Sequence, residues 1–151
     1  MGSITIRPCT ANEVINSPEF PALRAEYAAE SAVRGLPDPA EKEAMYQLME
    51  ANGAFQLFGA FMGAELVGFV AVLAPVLPHY GIPIAVTESL FVAAAHRKTG
   101  AGMALIRQAE RHAREIGSPG LLVSAPSGGR LCAILPRIGY HETNRAFLKQ
   151  L

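Results

Sequence analysis

The 151-residue, 16.1 kDa chain is half hydrophobic and 17% charged, which makes one domain with a real core and excludes a disordered tail protein. Thirteen basic residues balance thirteen acidic ones, which gives no support to a general nucleic-acid binder. The alternating Ser3 to Arg7, closed by Pro8, predicts a first strand. Residues 10–51 read as mainly helical. A weak turn covers Asn12 to Asn16, and a better helix covers Phe20 to Val33 with Leu23, Tyr27 and Glu30 along one line. The run Gly35 to Pro39 breaks it, and Asp38-Pro39 places a proline at the start of a third segment, Ala40 to Ala51. In that segment Met45, Leu48 and Met49 read as its core face.

Phe55 to Met62 and Glu65 to Val76 are two strands joined by Gly63-Ala64, a loop suited to a type II′ hairpin. Pro75 to Pro83, with three prolines, His79, Tyr80 and Gly81, reads as a loop. Ala85 to Val92 is the next strand. Gly100 to Ile116 is the clearest helix, with Met103, Ile106, Ala109, Ala113 and Ile116 on one face and Gly117 placed to stop it. Leu121 to Ser124 reads as a short buried strand, Gly129 to Arg137 as a short helix, and Thr143 to Leu148 as a last strand. The whole is a mixed α/β or α+β domain.

The N-terminus has no apolar leader and Cys9 lies far from Cys132, so a disulfide framework is not expected and the cytoplasm is the expected compartment. Cys132, among Leu131, Ala133 and Ile134, reads as a buried inert thiol rather than a nucleophile. The longest apolar stretch, 66–77, is too short for a membrane span and contains Pro75. The four histidines show no metal-ligand spacing, so no metal is expected. The balanced charge hides an asymmetry. Residues 1–50 carry four bases and eight acids, residues 51–96 carry no Lys or Arg, and nine bases follow from Arg97 onward. Charge alone favours ordinary solvated helix faces over a pair of ion-binding ends.

The chemistry concentrates between Glu88 and Gly102. A strand runs into a turn with Arg97 and Lys98, and Gly100 and Gly102 open a long helix whose first turn has no Asp or Glu. The first N–H groups of a helix have no partner within it and, with the helix dipole, attract an anion. Glycines permit close approach of a phosphate, and the two bases add mobile positive charge. No GxxxxGK[ST] run exists, and position 105 is Leu where a dinucleotide fingerprint needs a third glycine. The pattern that fits is R-x-x-G-x-G. Strict alternation places Val86, Glu88, Leu90 and Val92 on one face, and a carboxylate in an apolar row suits a general base.

These residues resemble a known family. Arg97-Lys98-Thr99-Gly100-Ala101-Gly102 is similar to the pyrophosphate loop of the GNAT superfamily of acetyl-CoA-dependent N-acetyltransferases, and Glu88 to Val92 is similar to the strand before it. Leu135-Pro136-Arg137-Ile138-Gly139-Tyr140 resembles the family's C-terminal motif. The resemblance implies a GNAT-like fold, with a central, mostly antiparallel, twisted sheet of six to seven strands flanked by about four helices. It implies direct acetyl transfer from acetyl-CoA to an amine. The pantetheine arm would run along Leu90, Phe91 and Val92, and the pyrophosphate would sit on the amides of Arg97, Lys98, Thr99, Gly100, Ala101 and Gly102. Glu88 stands where the family often has a glutamate base. The family's frequent tyrosine acid is replaced by Leu135, and Gly128-Gly129 stands where an asparagine is frequent. Tyr80, His79 and Ser124 are candidates for that acid on position alone.

Two functions of different class follow. One is an N-acetyltransferase for a primary amine of a small molecule or peptide, with Glu26, Tyr27, Glu30 and His79 as acceptor-site candidates and a homodimer as a possible assembly. The other is a CoA-binding GNAT-like module or sensor without useful catalysis, supported by Leu135. A third idea, acetylation of aminoacyl-tRNA, is disfavoured by the four bases in the first 96 residues.

Overall fold

The computed structural model describes residues 2–37 and 43–151. Strands β1 (Ile4–Cys9), β2 (Phe55–Met62), β3 (Glu65–Leu73), β6 (Ala85–Val92) and β7 (Leu121–Leu122) form one sheet in the order β1-β2-β3-β6-β7. All pairings are antiparallel except β6 with β7. Strands β4 (Val76–Leu77) and β5 (Ile82–Pro83) make a separate two-stranded ribbon inside the segment expected to be a loop. Among the described residues the main sheet therefore has five strands rather than six or seven. The strand expected at Thr143 to Leu148 does not form, and residues 141–151 run exposed with no ladder partner among the described residues. Phe147, its largest apolar side chain, is 92% exposed, so nothing there repays the entropy of fixing a strand.

Among the described residues five helices flank the sheet: α1 (Ala11–Ile15), α2 (Phe20–Ser31), α3 (Glu43–Ala51), α4 (Ala101–Glu115) and α5 (Arg130–Ile134). Single 3₁₀ turns follow β6 (Ala94–His96) and α5 (Leu135–Ile138). The expected start of the third helix, Ala40 to Lys42, lies outside the described residues. Helix α1 opens on a capping box, in which Thr10 accepts the Glu13 N–H and Glu13 accepts the Thr10 N–H. Pro8 is tolerated because β1 is an edge strand.

The sheet separates two cores. Helices α1, α2 and α3 pack Val14, Leu23 and Tyr46 against Leu57, Phe69 and Phe91 on one face. Helix α4 packs Ala101, Leu105, Ala109 and Ala113 against Phe58, Val70 and Val72 on the other. Ile106, Ala109 and Ala113 of the expected face are buried; the inner stripe runs in four-residue steps from Ala101, so Leu105 joins it and Ile116 is exposed. Central β3 is covered on both faces, which is why its sequence reads as a nearly continuous apolar run. Gly68 allows β3 and β6 to close up: a Cβ there would lie 2.6 Å from the Phe91 carbonyl oxygen.

Candidate functional site

Strand β6 sits between β3 and the two-residue β7. Strand β7 pairs with Ala85 and Val86, and among the described residues the β7-side edge of β6 has no ladder from Thr87 to Val92. Beside that edge the Ser124 N–H donates to the Thr87 hydroxyl at 3.3 Å. An unpaired strand edge presents main-chain donors and acceptors to an extended ligand. Leu90, Phe91 and Val92 lie along this edge.

The edge leads into the turn before α4. Gly100, the N-cap of α4, has φ 87°, a conformation that a side chain would strain. No side chain caps α4 and its first turn carries no acid. The amides of Gly102 and Met103 have no intrahelical acceptor by construction. The Thr99 hydroxyl donates to the His96 carbonyl at 2.6 Å, with the Ala101 N–H 3.4 Å away. Lys98 is exposed beside this mouth. Its geometry suits a diphosphate: uncapped amides, a positive dipole end, an exposed base and no acid in the first turn of α4.

Arg97 is not a mobile charge. Its Nε donates to the Val92 carbonyl at 3.1 Å, its guanidinium lies 5.3 Å from the Phe91 ring centroid, and its Nη2 is 2.7 Å from both oxygens of Glu30. The side chain turns toward α2 while its main chain stays in the turn. Glu26 accepts the Ala94 N–H at 2.9 Å. These two expected acceptor-site acids thus staple α2 to the turn between β6 and α4. The other described acids of residues 1–50 serve the chain in the same way. Glu13 caps α1, Glu19 takes the Ser17 hydroxyl, Glu43 pairs with Arg24, and Glu50 accepts the Ala11 N–H at 2.7 Å. The described acids of the first half are thus largely internal wiring.

Glu88 lies on the face opposite to the one strict alternation assigned. Ala71 of β3 pairs with Ser89 and Val72 pairs with Thr87, so Glu88 is the extra residue of a β-bulge. Leu90 and Val92 belong with the α4-side core, whereas Glu88 and Ser89 point to the helices α1–α3 side. There the Tyr46 hydroxyl of α3 donates to Glu88 Oε2 at 2.9 Å and lies 2.6 Å from Ser89 Oγ. Tyr46 is 2% exposed. Burial, and then the Glu88 charge, push its phenol far above the usual tyrosine range, so it keeps its proton. Aromatic rings wall this corner. Tyr27 stands edge-on to Phe91 at 5.7 Å between centroids, and Tyr46 packs on Phe55 at 5.0 Å.

Tyr46 escaped the sequence reading because α3 is apolar on several sides. Met45 and Leu48, expected inside, are 53% and 56% exposed. The signal was present in the spacing of Tyr46, Met49 and Glu50, which fixes the inward face once Glu50 is recognised as a partner for the α1 start. Tyr80 and His79 stand exposed at the tip of the β4–β5 ribbon, edge to face with 4.8 Å between ring centroids. Cys132 is exposed, against expectation, because the short α5 turns it outward. Leu135 is buried and Tyr140 donates to Glu110 at 2.8 Å, tying the C-terminal segment to α4.

The sequence matches the family model described as an acetyltransferase (GNAT) domain over residues 24–150. No curated protein matches it. Among solved structures the fold is similar to a ribosomal-protein-alanine N-acetyltransferase from Brucella melitensis biovar Abortus 2308, at 21% identity over 99% of each chain with a TM-score of 0.74. It is similar to a predicted acetyltransferase with acetyl-CoA from Clostridium acetobutylicum, at 12% identity over 97% of this chain and 95% of that one, TM-score 0.75. It is also similar to an aminoglycoside antibiotic 6′-N-acetyltransferase from Acinetobacter baumannii, at 18% identity over 97% of each chain, TM-score 0.70.

Proposed function

The chain belongs to the GNAT acetyltransferases, and we propose from that premise that it moves an acetyl group from acetyl-CoA to a primary amine of a small molecule or peptide. The observation that carries this reading is a junction: the open edge of β6 runs directly into the uncapped, acid-free start of α4. Acetyl-CoA lies with its pantetheine arm along Leu90, Phe91 and Val92. Its diphosphate rests on the amides between Arg97 and Met103, with Lys98 supplying the mobile charge. A main-chain N–H near the end of β6 polarises the thioester carbonyl.

Glu88 takes a proton from the acceptor ammonium, directly or through water. The freed nitrogen attacks the carbonyl carbon, and the C–S bond breaks as the tetrahedral intermediate collapses. The second proton of the attacking nitrogen passes through water to the departing CoA thiolate, so the products are the acetamide and CoA thiol, and the thiolate is a tolerable leaving group that needs no dedicated acid. This fits the burial of Leu135 where relatives of the family frequently carry a tyrosine. Tyr80 and His79, exposed at the ribbon tip, serve the acceptor rather than the leaving group. Tyr27 contributes an aromatic wall, and Glu26 and Glu30 act through the staple. Acceptor classes include aminoglycosides and protein amines, on which two of the similar proteins act by name. A cytoplasmic homodimer completes the proposal.

The test pairs calorimetric titration of acetyl-CoA with a thiol-release assay. The assay panel is an aminoglycoside, a peptide with N-terminal alanine and a diamine. Binding with turnover of at least one amine is expected. Glu88→Gln should keep acetyl-CoA binding and lose about a hundredfold in kcat. Binding without turnover on every amine would favour a CoA-binding module, and unchanged kcat in Glu88→Gln would remove Glu88 as the base.

A further inference from the structure

We propose that Tyr46 is the positioning residue for Glu88: backed by Ser89, its hydroxyl fixes the carboxylate at the bulge of β6 and supports its negative charge. The inference rests on the reading of Glu88 as the base and extends it to a residue on another element.

The direction of the hydrogen bonds follows from proton counting. A carboxylate only accepts, and a phenol has one proton. Tyr46 therefore donates to Glu88 Oε2 across 2.9 Å, and the Ser89 hydroxyl donates to the Tyr46 oxygen across 2.6 Å. The result is a chain of two donors ending on the carboxylate. Hydrogen bonds to the charged form of an acid favour that form. Cooperative polarisation strengthens such a chain in a low-dielectric setting, and Tyr46 and Ser89 are 2% and 4% exposed.

Bulge and helix are both required. Without the extra residue at Glu88, the side chains of Glu88 and Ser89 would fall on opposite faces of β6, and one hydroxyl would not meet both. Helix α3 supplies the tyrosine, which is anchored through its ring on Phe55. Among the described residues, the titratable and charged groups around this corner are Tyr46 and Glu43 of α3, Tyr27 and Arg24 of α2, and Glu88 itself. Arg24 and Glu43 pair with each other. Burial, and then the Glu88 charge, push the phenol upward, so Tyr46 holds its proton and acts as the donor to Glu88.

The experiment uses the full chain labelled with 13Cδ-glutamate, with the Glu88 signal identified as the one lost in Glu88→Gln. Its pH titration is compared in the unsubstituted chain, Tyr46→Phe and Ser89→Ala. The expected result is a midpoint about one pH unit higher in Tyr46→Phe and a smaller shift in the same direction in Ser89→Ala. The acidic limb of kcat/KM moves with it, while KM for acetyl-CoA stays put. Superimposable titrations overturn the proposal. Should Tyr46→Phe fail to fold, Ser89→Ala decides by the same criterion. A displaced midpoint with undiminished turnover in Glu88→Gln upholds the hydrogen-bonded chain and overturns only the base assignment. Slow Glu88→Gln with an unmoved midpoint in Tyr46→Phe does the reverse.

Discussion

Gly102→Asp separates what α4 wants as a helix from what the chain wants as an enzyme. Gly102 is the second residue of α4, and a Cβ there would meet only Val92 Cγ2, at 3.9 Å. The aspartate fits, and its carboxylate faces amides that no side chain caps. An acid in the first turn stabilises a helix by about 0.3–1 kcal/mol, and leaving glycine adds helix propensity. The same charge opposes a diphosphate on those amides. At about 5 Å and an effective dielectric of about 20, two like charges repel by about 3 kcal/mol. Screening at this open surface leaves about 2 kcal/mol, or about 30-fold in Kd. Calorimetric titration of acetyl-CoA, paired with thermal melting, reads both effects. The prediction is an equal or higher Tm with Kd weakened about 30-fold, the loss shrinking as salt rises. A higher Tm with unchanged Kd would show that the diphosphate does not rest on these amides, and the reasoning would fail.

Arg97→Gln and Glu30→Gln each break the staple between α2 and the turn. Because the Glu30 side chain is 49% exposed, each should cost at most about 1 kcal/mol by urea unfolding. Lys98→Ala should weaken acetyl-CoA binding more than Arg97→Gln does; the reverse order in a titration would return Arg97 to the diphosphate. Gly68→Ala forces a Cβ to within 2.6 Å of the Phe91 carbonyl, so unfolding should show a loss of about 2–3 kcal/mol, and a neutral result would refute the close approach. Burial lowers the pKa of His112, which stands edge-on to Phe58 with 5.4 Å between ring centroids. The unfolded chain therefore binds the proton more readily. This contribution to stability is complete above the ordinary histidine value and is lost as pH falls through the lowered one. Melting curves should show His112→Leu flattening the Tm profile as pH falls below the ordinary histidine range, and an unchanged profile would contradict the assignment.

Much of the fold was legible because its strongest periodicities coincide with its most buried elements. Strand β6 spans Ala85–Val92 as expected, and α4 lies within one residue of its expected limits. The mouth of α4 was legible too, since glycines, bases and missing acids are local facts. What stayed hidden depends on pairing across the chain. The bulge at Glu88 exists only because β3 and β6 shift register, and it moved the carboxylate to the opposite face. Glu26 and Glu30 looked like open acids because sequence spacing does not show that Ala94 and Arg97 come to meet them. Tyr46 was hidden among apolar neighbours until α3 was docked. The last strand failed for a related reason: a plausible local pattern forms no strand without a ladder partner.

A crystal structure of the full chain with acetyl-CoA tests the account most directly. The pantetheine amides should bond the main chain of Leu90 to Val92, the diphosphate should sit on the first-turn amides of α4, and the thioester should open toward Glu88. A nucleotide bound elsewhere, with those amides making no contact to it, would contradict the account.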